Sequence, residues 1–385
     1  MAAEGEEPRM IRPLEGIRVL DFSQGVAGPH CGMMFALYGA DVIKVEPPEG
    51  DWSRPLGTAI GDMSAVFVAY NQGKRGLVLD LQSDHGVAVA RDLVRRSDIV
   101  IENFRPGVID RLGLGWMTLC EIQPMLIHVA VSGFGQSGPD RARPATDSIL
   151  QAHAGLVALN RGADEVPHKV RFPALDHVTG LYAFQAAAMS LMARERRGRG
   201  QYLDISLLQS TIAFQGLKIL DHHVTGGNPP DDQFCPIGIY PTRDGSLAVT
   251  TIRERQFRDL CDVLGCPELA TDPRFSEIGE RMKHVDALNA LLALKFAAGT
   301  TAEWARRLTE KGIMSARVRD YSELLEDPQV TAAELIYWFD QPGFAQVPLA
   351  RVPGAEVDWA CPAPALGEHS GEILTELDSA AASDT

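Results

Sequence analysis

Two apolar runs, GIRVLDFS and DVIKVEPP, flank a Gly-rich turn (GVAGP) and the helix-compatible stretch HCGMMFALYGA. Strand, helix and strand at this spacing imply parallel pairing through a right-handed crossover. Pro29 suits a first helical position, and Gly39 can close the helix. The unit therefore restricts the chain to an α/β fold. Further buried-strand runs follow in GLVLDL, DIVIENF and MLIHVAVS. Between the first two lies HGVAVARDLVRRS, a helix with an apolar stripe and Asp84 as its N-cap.

Glu46 closes the second strand, which invites a dinucleotide reading, but the turn G-V-A-G-P-H-C-G lacks G-x-G-x-x-G and argues against NAD. The turn still lies at the carboxyl end of a parallel strand, where open α/β sheets bind ligands. Helix N-terminal amides there suit phosphate or carboxylate.

The stretch from Phe172 to Gln209 carries the chemistry. Leu181, Phe184, Ala188, Leu191 and Met192 recur at helical spacing. Arg194, Arg196 and Arg197 followed by Gly198 and Gly200 form a helix stop, and YLDISLL alternates as a strand. Asp176 then sits just ahead of a helix N-terminus, with Thr179 and Gly180 as alternative caps. Two readings of Asp176 compete. It caps the helix, or it is a nucleophile kept ionised by the helix dipole that attacks an activated acyl group.

The run PALDHVTGLYAFQAAAMSLMARERRGRGQYLDISLLQS resembles the signature segment of the class III coenzyme A transferases (CaiB/BaiF type). That family includes formyl-CoA, carnitine and bile-acid CoA transferases. The resemblance implies that Asp176 is the nucleophile. It extends to the opening LEGIRVLDFSQGVAGPHCGMMFALYGADVIKVEPPEGD, where the family's coenzyme contacts map onto Val26 and Ala27. Formyl-CoA transferase has Gln in place of Val26. In NQGKRGLVLDL and ENFRPGVIDR the likeness implies that Leu79, Asp80, Asn103, Phe104 and Arg111 line the coenzyme site. A CoA pocket needs cations for its phosphates and a flat apolar slot for adenine. Lys74, Arg75, Arg105 and Arg111 are the cations to hand. In RPATDSILQAHAGL, Thr146 and Asp147 stand where formyl-CoA transferase has Tyr and Glu, and Asp147 is expected to orient or polarise. The α-methylacyl-CoA racemases share this fold and carry a His where Thr146 stands. Thr cannot exchange an α-proton, which argues against a racemase. His153 and His177 read as packing or surface residues.

The 385-residue chain favours two domains or one large discontinuous one. After LLQSTIAFQGLKILDHHV the texture turns to Gly, Pro and Asp, a boundary. Helices RQFRDLCDVLG, MKHVDALNALLALKFAAG and TAEWARRLTEKG, the last begun by Thr301, surround the strand GSLAVTTI. PAPALGEHSGEIL resembles the family's return to the first domain. The expected architecture is a large Rossmann-like parallel-sheet domain over 1–225, joined by 335–385, and a small α+β domain over 226–334. The closing DSAAASDT reads as disordered. The family's Gly-rich loop over the active site has no counterpart here. Arg253 and Arg255 are candidates for a second substrate carboxylate.

A net charge of −15 argues against nucleic acid and anionic membrane as partners. No run reaches membrane-spanning length, and MAAEGEEPRMIRP lacks the apolar core of a signal peptide. The six scattered cysteines fit neither a metal site nor disulfides, so a reduced, cytoplasmic protein is expected. His222 and His223 lack a third ligand. The expected activity is transfer of CoA from an acyl-CoA to a carboxylic acid through an aspartyl anhydride and an aspartyl-CoA thioester. CoA serves as substrate, no cofactor or metal is permanently bound, and the resemblance implies an interlocked homodimer. An acyl-CoA racemase and a non-catalytic acyl-CoA-binding protein are the alternatives.

Overall fold

The computed structural model describes residues 12–161, 165–227, 233–344, 346–355 and 362–383. Most of the acidic N-terminal stretch and Cys361 lie outside them. The chain divides into two compact units, Met1–Leu220 with Glu334–Thr385, and Asp221–Ala333.

The first unit is built on six parallel strands: β1 (Arg18–Asp21), β2 (Asp41–Glu46), β3 (Arg75–Val78), β4 (Ile99–Glu102), β5 (Ile127–Ser132) and β6 (Gln201–Ser206). Their spatial order is β3-β2-β1-β4-β5-β6. Strand order reverses between β1 and β4, so a crevice opens at the carboxyl ends of these two strands. β4 and β5 are buried along their whole length, as a sheet covered by helices on both faces requires.

One face is covered by α1 (Ala27–Leu37) and α4 (Ala174–Arg197). All eleven residues of α1 are buried, as expected of a helix that is apolar all round. Phe35, Leu175, Ala183, Ala187 and Leu191 pack there against Val19, Ile101 and Val129. The helices approach closely at Gly180, where a Cβ would lie 2.8 Å from the Ala27 carbonyl oxygen. Gly180 and Thr179 are therefore buried helix-interior residues and not caps. α2 (Asp84–Val94) covers the other face with Ala90, Leu93 and Val94 against Leu20, Ile43 and Val100. Ser83 caps α2, its hydroxyl accepting from the Gly86 N–H, and Asp84 is the first helical residue.

α3 (Asp147–His153) and α5 (Leu207–Phe214) complete the site-bearing elements. The YLDISLL run leaves the sheet at Ser206, whose hydroxyl caps α5 by accepting from the Gln209 N–H. In DSAAASDT, residues 378–383 depart from the expected disorder, since a helix runs over Ser370–Ser383, while Asp384 and Thr385 lie outside the described residues. Ile373 and Leu377 anchor it by packing on the α2 face.

The second unit holds an antiparallel three-stranded sheet, Ile237–Thr242, Gly245–Thr250 and Met314–Arg317. Phe257, Leu260, Leu288, Leu292, Phe296, Trp304 and Leu308 form its core over Leu247 and Val249. Thr300 caps the helix Thr301–Glu310, accepting from the Glu303 N–H. Arg255 faces Asp259 at 3.6 Å.

Candidate active site

A lysine on a strand as buried as β2 needs a carboxylate partner, because an unpaired charge there is too costly. Lys44 is fully buried and pairs with Asp51 at 2.7 Å. It also donates to the Ser23 carbonyl, and the Gly25 N–H donates to Asp51 Oδ1 at 3.1 Å. Burial alone would raise the Asp51 pKa, but Lys44 and the Ser53 hydrogen bonds outweigh it and hold the carboxyl below its ordinary value. This pair fixes the turn after β1. Gly25 has φ +83°, and a Cβ on it would lie 2.2 Å from the Trp52 ring. The turn is also tied to β4: Asn103 Nδ2 donates to the Gln24 carbonyl at 2.6 Å, and the Gln24 N–H donates to Asn103 Oδ1 at 2.8 Å.

A cavity of about 420 Å³ opens at the strand-order reversal. Gln24, Val26 and Ala27 line it from the β1 turn, and Asn103, Phe104 and Arg105 from the β4 turn. Trp52, Ser132, Gly133, Ala145, Thr146, Leu207 and Asp176 close it. A second cavity of about 240 Å³ shares Gln24 and Phe104 with the first. It is walled by Leu79, Asp80, Pro47, Val108 and Leu112. Val26 precedes α1 with no side-chain cap. The N–H groups of Val26 and Ala27, both at the cavity wall, have no partner among the described residues, while Pro29 in the same turn has no N–H to give.

Asp176 lies within the first turn of α4, and not ahead of it. The capping carboxylate belongs to Asp147, whose Oδ2 accepts from the Leu175 N–H at 2.7 Å and the Asp176 N–H at 3.2 Å. Gln151 Nε2 donates to Asp147 Oδ1 at 2.6 Å, while its Oε1 accepts from the Val170 N–H at 2.9 Å. The Asp176 carboxyl has no hydrogen-bond or ion-pair partner among the described residues. Burial, reinforced by Asp147, raises its pKa to about 7. Burial and the like charge of Asp147 thus oppose the ionisation that a helix N-terminus favours. Beside it, His177 stacks on His30 with centroids 3.9 Å apart, and His153 packs edge-on to Phe134 at 5.1 Å.

Of the residues singled out from sequence, Val26, Ala27, Asn103, Phe104, Arg105, Thr146 and Asp176 meet at the first cavity. Leu79 and Asp80 meet Phe104 at the second. Three cations lie elsewhere. Lys74 is fully buried and bonds Asp21, Asn71 Oδ1 and the Pro29 carbonyl, each at 2.8 Å. Arg75 stands at the opposite, amino end of β3 and pairs with Asp41, Glu372 and Glu376. Arg111 is exposed and lines neither cavity. Asp147 acts beneath the cavity wall through α4. Sequence reasoning gave Gln24 no role beside Val26 and missed Trp52, Gln151 and the Lys44–Asp51 pair. The lone lysine in DVIKVE was the available signal for that pair.

Among the described residues, no helix is long and apolar enough to cross a membrane, and no group of three or more His, Cys, Asp or Glu side chains could hold a metal ion. The model of CoA-transferase family III matches residues 14–370. The chain is 35% identical to an acetyl-CoA:oxalate CoA-transferase of Acetobacter aceti, over 84% of this chain and 85% of the relative. It is also 35% identical to a succinyl-CoA–D-citramalate CoA-transferase of Chloroflexus aurantiacus, over 95% and 94%. The crystal structure of a CAIB/BAIF family protein from Brucella suis superposes with a TM-score of 0.84 at 31% identity, covering 95% of this chain and 99% of that one.

Proposed function

The chain belongs to CoA-transferase family III, and on that premise we propose that Asp176 is the nucleophile of a CoA transfer from an acyl-CoA to a carboxylic acid. The enzyme is of the class III CoA-transferase type. The observation that carries the mechanism is the uncapped carboxyl of Asp176 at the first cavity, with Asp147 doing the capping.

An Asp176 oxygen attacks the thioester carbonyl, the C–S bond breaks, and CoA leaves as its thiolate with a mixed anhydride on Asp176. The thiolate then attacks the aspartyl carbonyl, releasing the donor acid and leaving an aspartyl-CoA thioester. The acceptor carboxylate attacks that carbonyl and expels the thiolate, which returns to the new acyl carbon and frees Asp176. Each step replaces one difficult exchange with an easier one. With the Leu175 and Asp176 amides engaged by Asp147, the first-turn amides of α1 at Val26 and Ala27 are the proposed donors to the oxyanions. The proposed adenine slot lies between Leu79, Phe104, Val108 and Leu112 of the second cavity, and Arg105, which lines the first, is the proposed cation for the phosphates or a substrate carboxylate. Oxalate and citramalate in the relatives' names favour a dicarboxylic acceptor. Ile212, Phe214, Leu217, Ile219 and Leu220 are exposed. They support an interlocked homodimer, which light scattering checks.

The experiment is a trap. Enzyme incubated with an acyl-CoA and quenched with hydroxylamine should carry a hydroxamate on Asp176 by mass spectrometry. Asp176→Ala should fold, bind CoA and carry none. Near-normal turnover by that variant overturns the mechanism. Exchange of α-protons with deuterated water, with no acceptor acid present, would instead identify a racemase.

A further inference from the structure

The far end of α4 holds a feature that CoA transfer leaves unused. The helix stops at Gly198, which has φ +65°, and the next glycine is forced by crowding. A Cβ on Gly200 would lie 1.7 Å from the Leu126 carbonyl oxygen. This turn places Arg197 and Arg199 around a cleft of about 390 Å³, whose other walls include Arg194, Trp116, Cys120 and Tyr202. Arg197 lies roughly 30 Å along α4 from Asp176, taking 1.5 Å per residue.

Trp116 and Tyr202 stand with ring centroids 6.1 Å apart. Behind them His128, fully buried, packs edge-on to Tyr202 at 5.4 Å, and neither of its ring nitrogens has a hydrogen-bond partner among the described residues. Arg194 is buried, bound to Asp98 at 2.9 Å, and its Nε has no hydrogen-bond partner among the described residues. Arg197 and Arg199 are exposed, and neither pairs with a carboxylate among the described residues. Arg197 belongs to the basic helix stop that complements the C-terminus of α4, and the cleft adds Arg199 to it on a chain of net charge −15.

We propose that this cleft is a second ligand site, distinct from the Asp176 cavity, for a planar organic anion. The ring lies against Trp116 and Tyr202, and a phosphate or carboxylate is held by Arg197 and Arg199. Guanidinium groups grip such anions through paired hydrogen bonds, and aromatic walls accept a flat ring. The volume is near the lower end of small-molecule sites and suits one ring system with one anionic group. This inference stands apart from the mechanism assigned to Asp176.

The test is isothermal titration of the full chain, already saturated with CoA, using adenosine 5′-monophosphate, benzoate and inorganic phosphate as separate probes. One saturable site per chain for AMP or benzoate, with Kd on the order of 0.1–1 mM, supports the proposal. Which of the two binds tells a nucleotide from an aromatic acid. Phosphate alone should bind at least tenfold more weakly, and Arg197→Ala with Arg199→Ala should weaken the ring-bearing probe at least tenfold. Asp176→Asn should leave that binding unchanged. Absence of saturable binding by both ring probes, equal binding of phosphate, or indifference to the double substitution overturns it.

Discussion

Asp147 Oδ2 accepts hydrogen bonds from the backbone N–H groups of both Leu175 and Asp176, so the carboxylate that caps α4 comes from α3. Asp176 itself is left charged or protonated without a partner. That arrangement opposes folding whenever Asp176 is ionised. Its pKa is about 7 in the folded chain against 3.8 ordinarily, so folding takes up a proton between those values. Stability therefore falls as pH rises from about 4 to about 7 and is level above. Asp176→Asn escapes this loss. Its Tm should match the native chain near pH 4.5 and exceed it at pH 8. The gain is on the order of 1 kcal/mol, or ~2 °C, after allowing for solvent at this partly exposed side chain. A lower Tm at both pH values would mark Asp176 as a structural cap.

The same titration governs rate. Attack on a thioester needs the ionised carboxyl, so the burst of CoA release on mixing with acyl-CoA should rise with pH and level off above about 7. Below that pH each unit should slow the burst about tenfold. Stopped-flow with a thiol reagent reads it, and a burst independent of pH between 5 and 8 would contradict the raised pKa.

Replacing Asp147 with Asn separates its two effects. The amide oxygen can still accept from Leu175 and Asp176, but its NH2 then faces the Gln151 Nε2 donor, and that lost hydrogen bond costs about 1 kcal/mol. The like charge beside Asp176 is gone, and the acid limb of the rate profile should move to lower pH. KM for CoA should hold, because Asp147 lines neither cavity. An unmoved limb would mean that burial alone sets the Asp176 pKa.

Lys74 and Arg105 read alike in sequence and differ in the fold. Lys74→Met leaves Asp21 buried and unpaired, which typically costs about 3–5 kcal/mol. Asp21→Asn on the same chain should recover part of it. Arg105 is exposed at the cavity mouth. Arg105→Ala should raise KM for CoA about tenfold, through loss of a charge-assisted contact, with Tm unchanged. Thermal melts beside steady-state kinetics tell the two cases apart.

This contrast shows where sequence reading stops. Continuous apolar runs betray strands covered on both faces, so the βαβ unit was plain in GIRVLDFS and DVIKVEPP. Asp176 was legible through the segment around it. Charge type alone could not say which way a cation points. Arg75 opens β3 at its amino end, five residues from Asp80 at the carboxyl end, and the length of the strand separates them. Nor could composition tell that Asp147 would reach across from α3, since that contact joins residues 29 apart.

Gly25 ties backbone geometry to the cavity wall. Its φ of +83° disfavours a side chain, and an added Cβ would meet Trp52 at 2.2 Å. Gly25→Ala should therefore cost about 1–2 kcal/mol from the left-handed backbone, with a further cost from displacing the indole. It should also lower kcat/KM, because Trp52 lines the cavity with Asp176. Trp52→Ala on the same chain removes the collision but not the backbone strain. The double variant should be less destabilised than the two single changes added together, by on the order of 1 kcal/mol. Melts of the four proteins measure this coupling. Strict additivity would mean that the indole moves aside freely and that the turn after β1 is held by Asp51 and Asn103 alone.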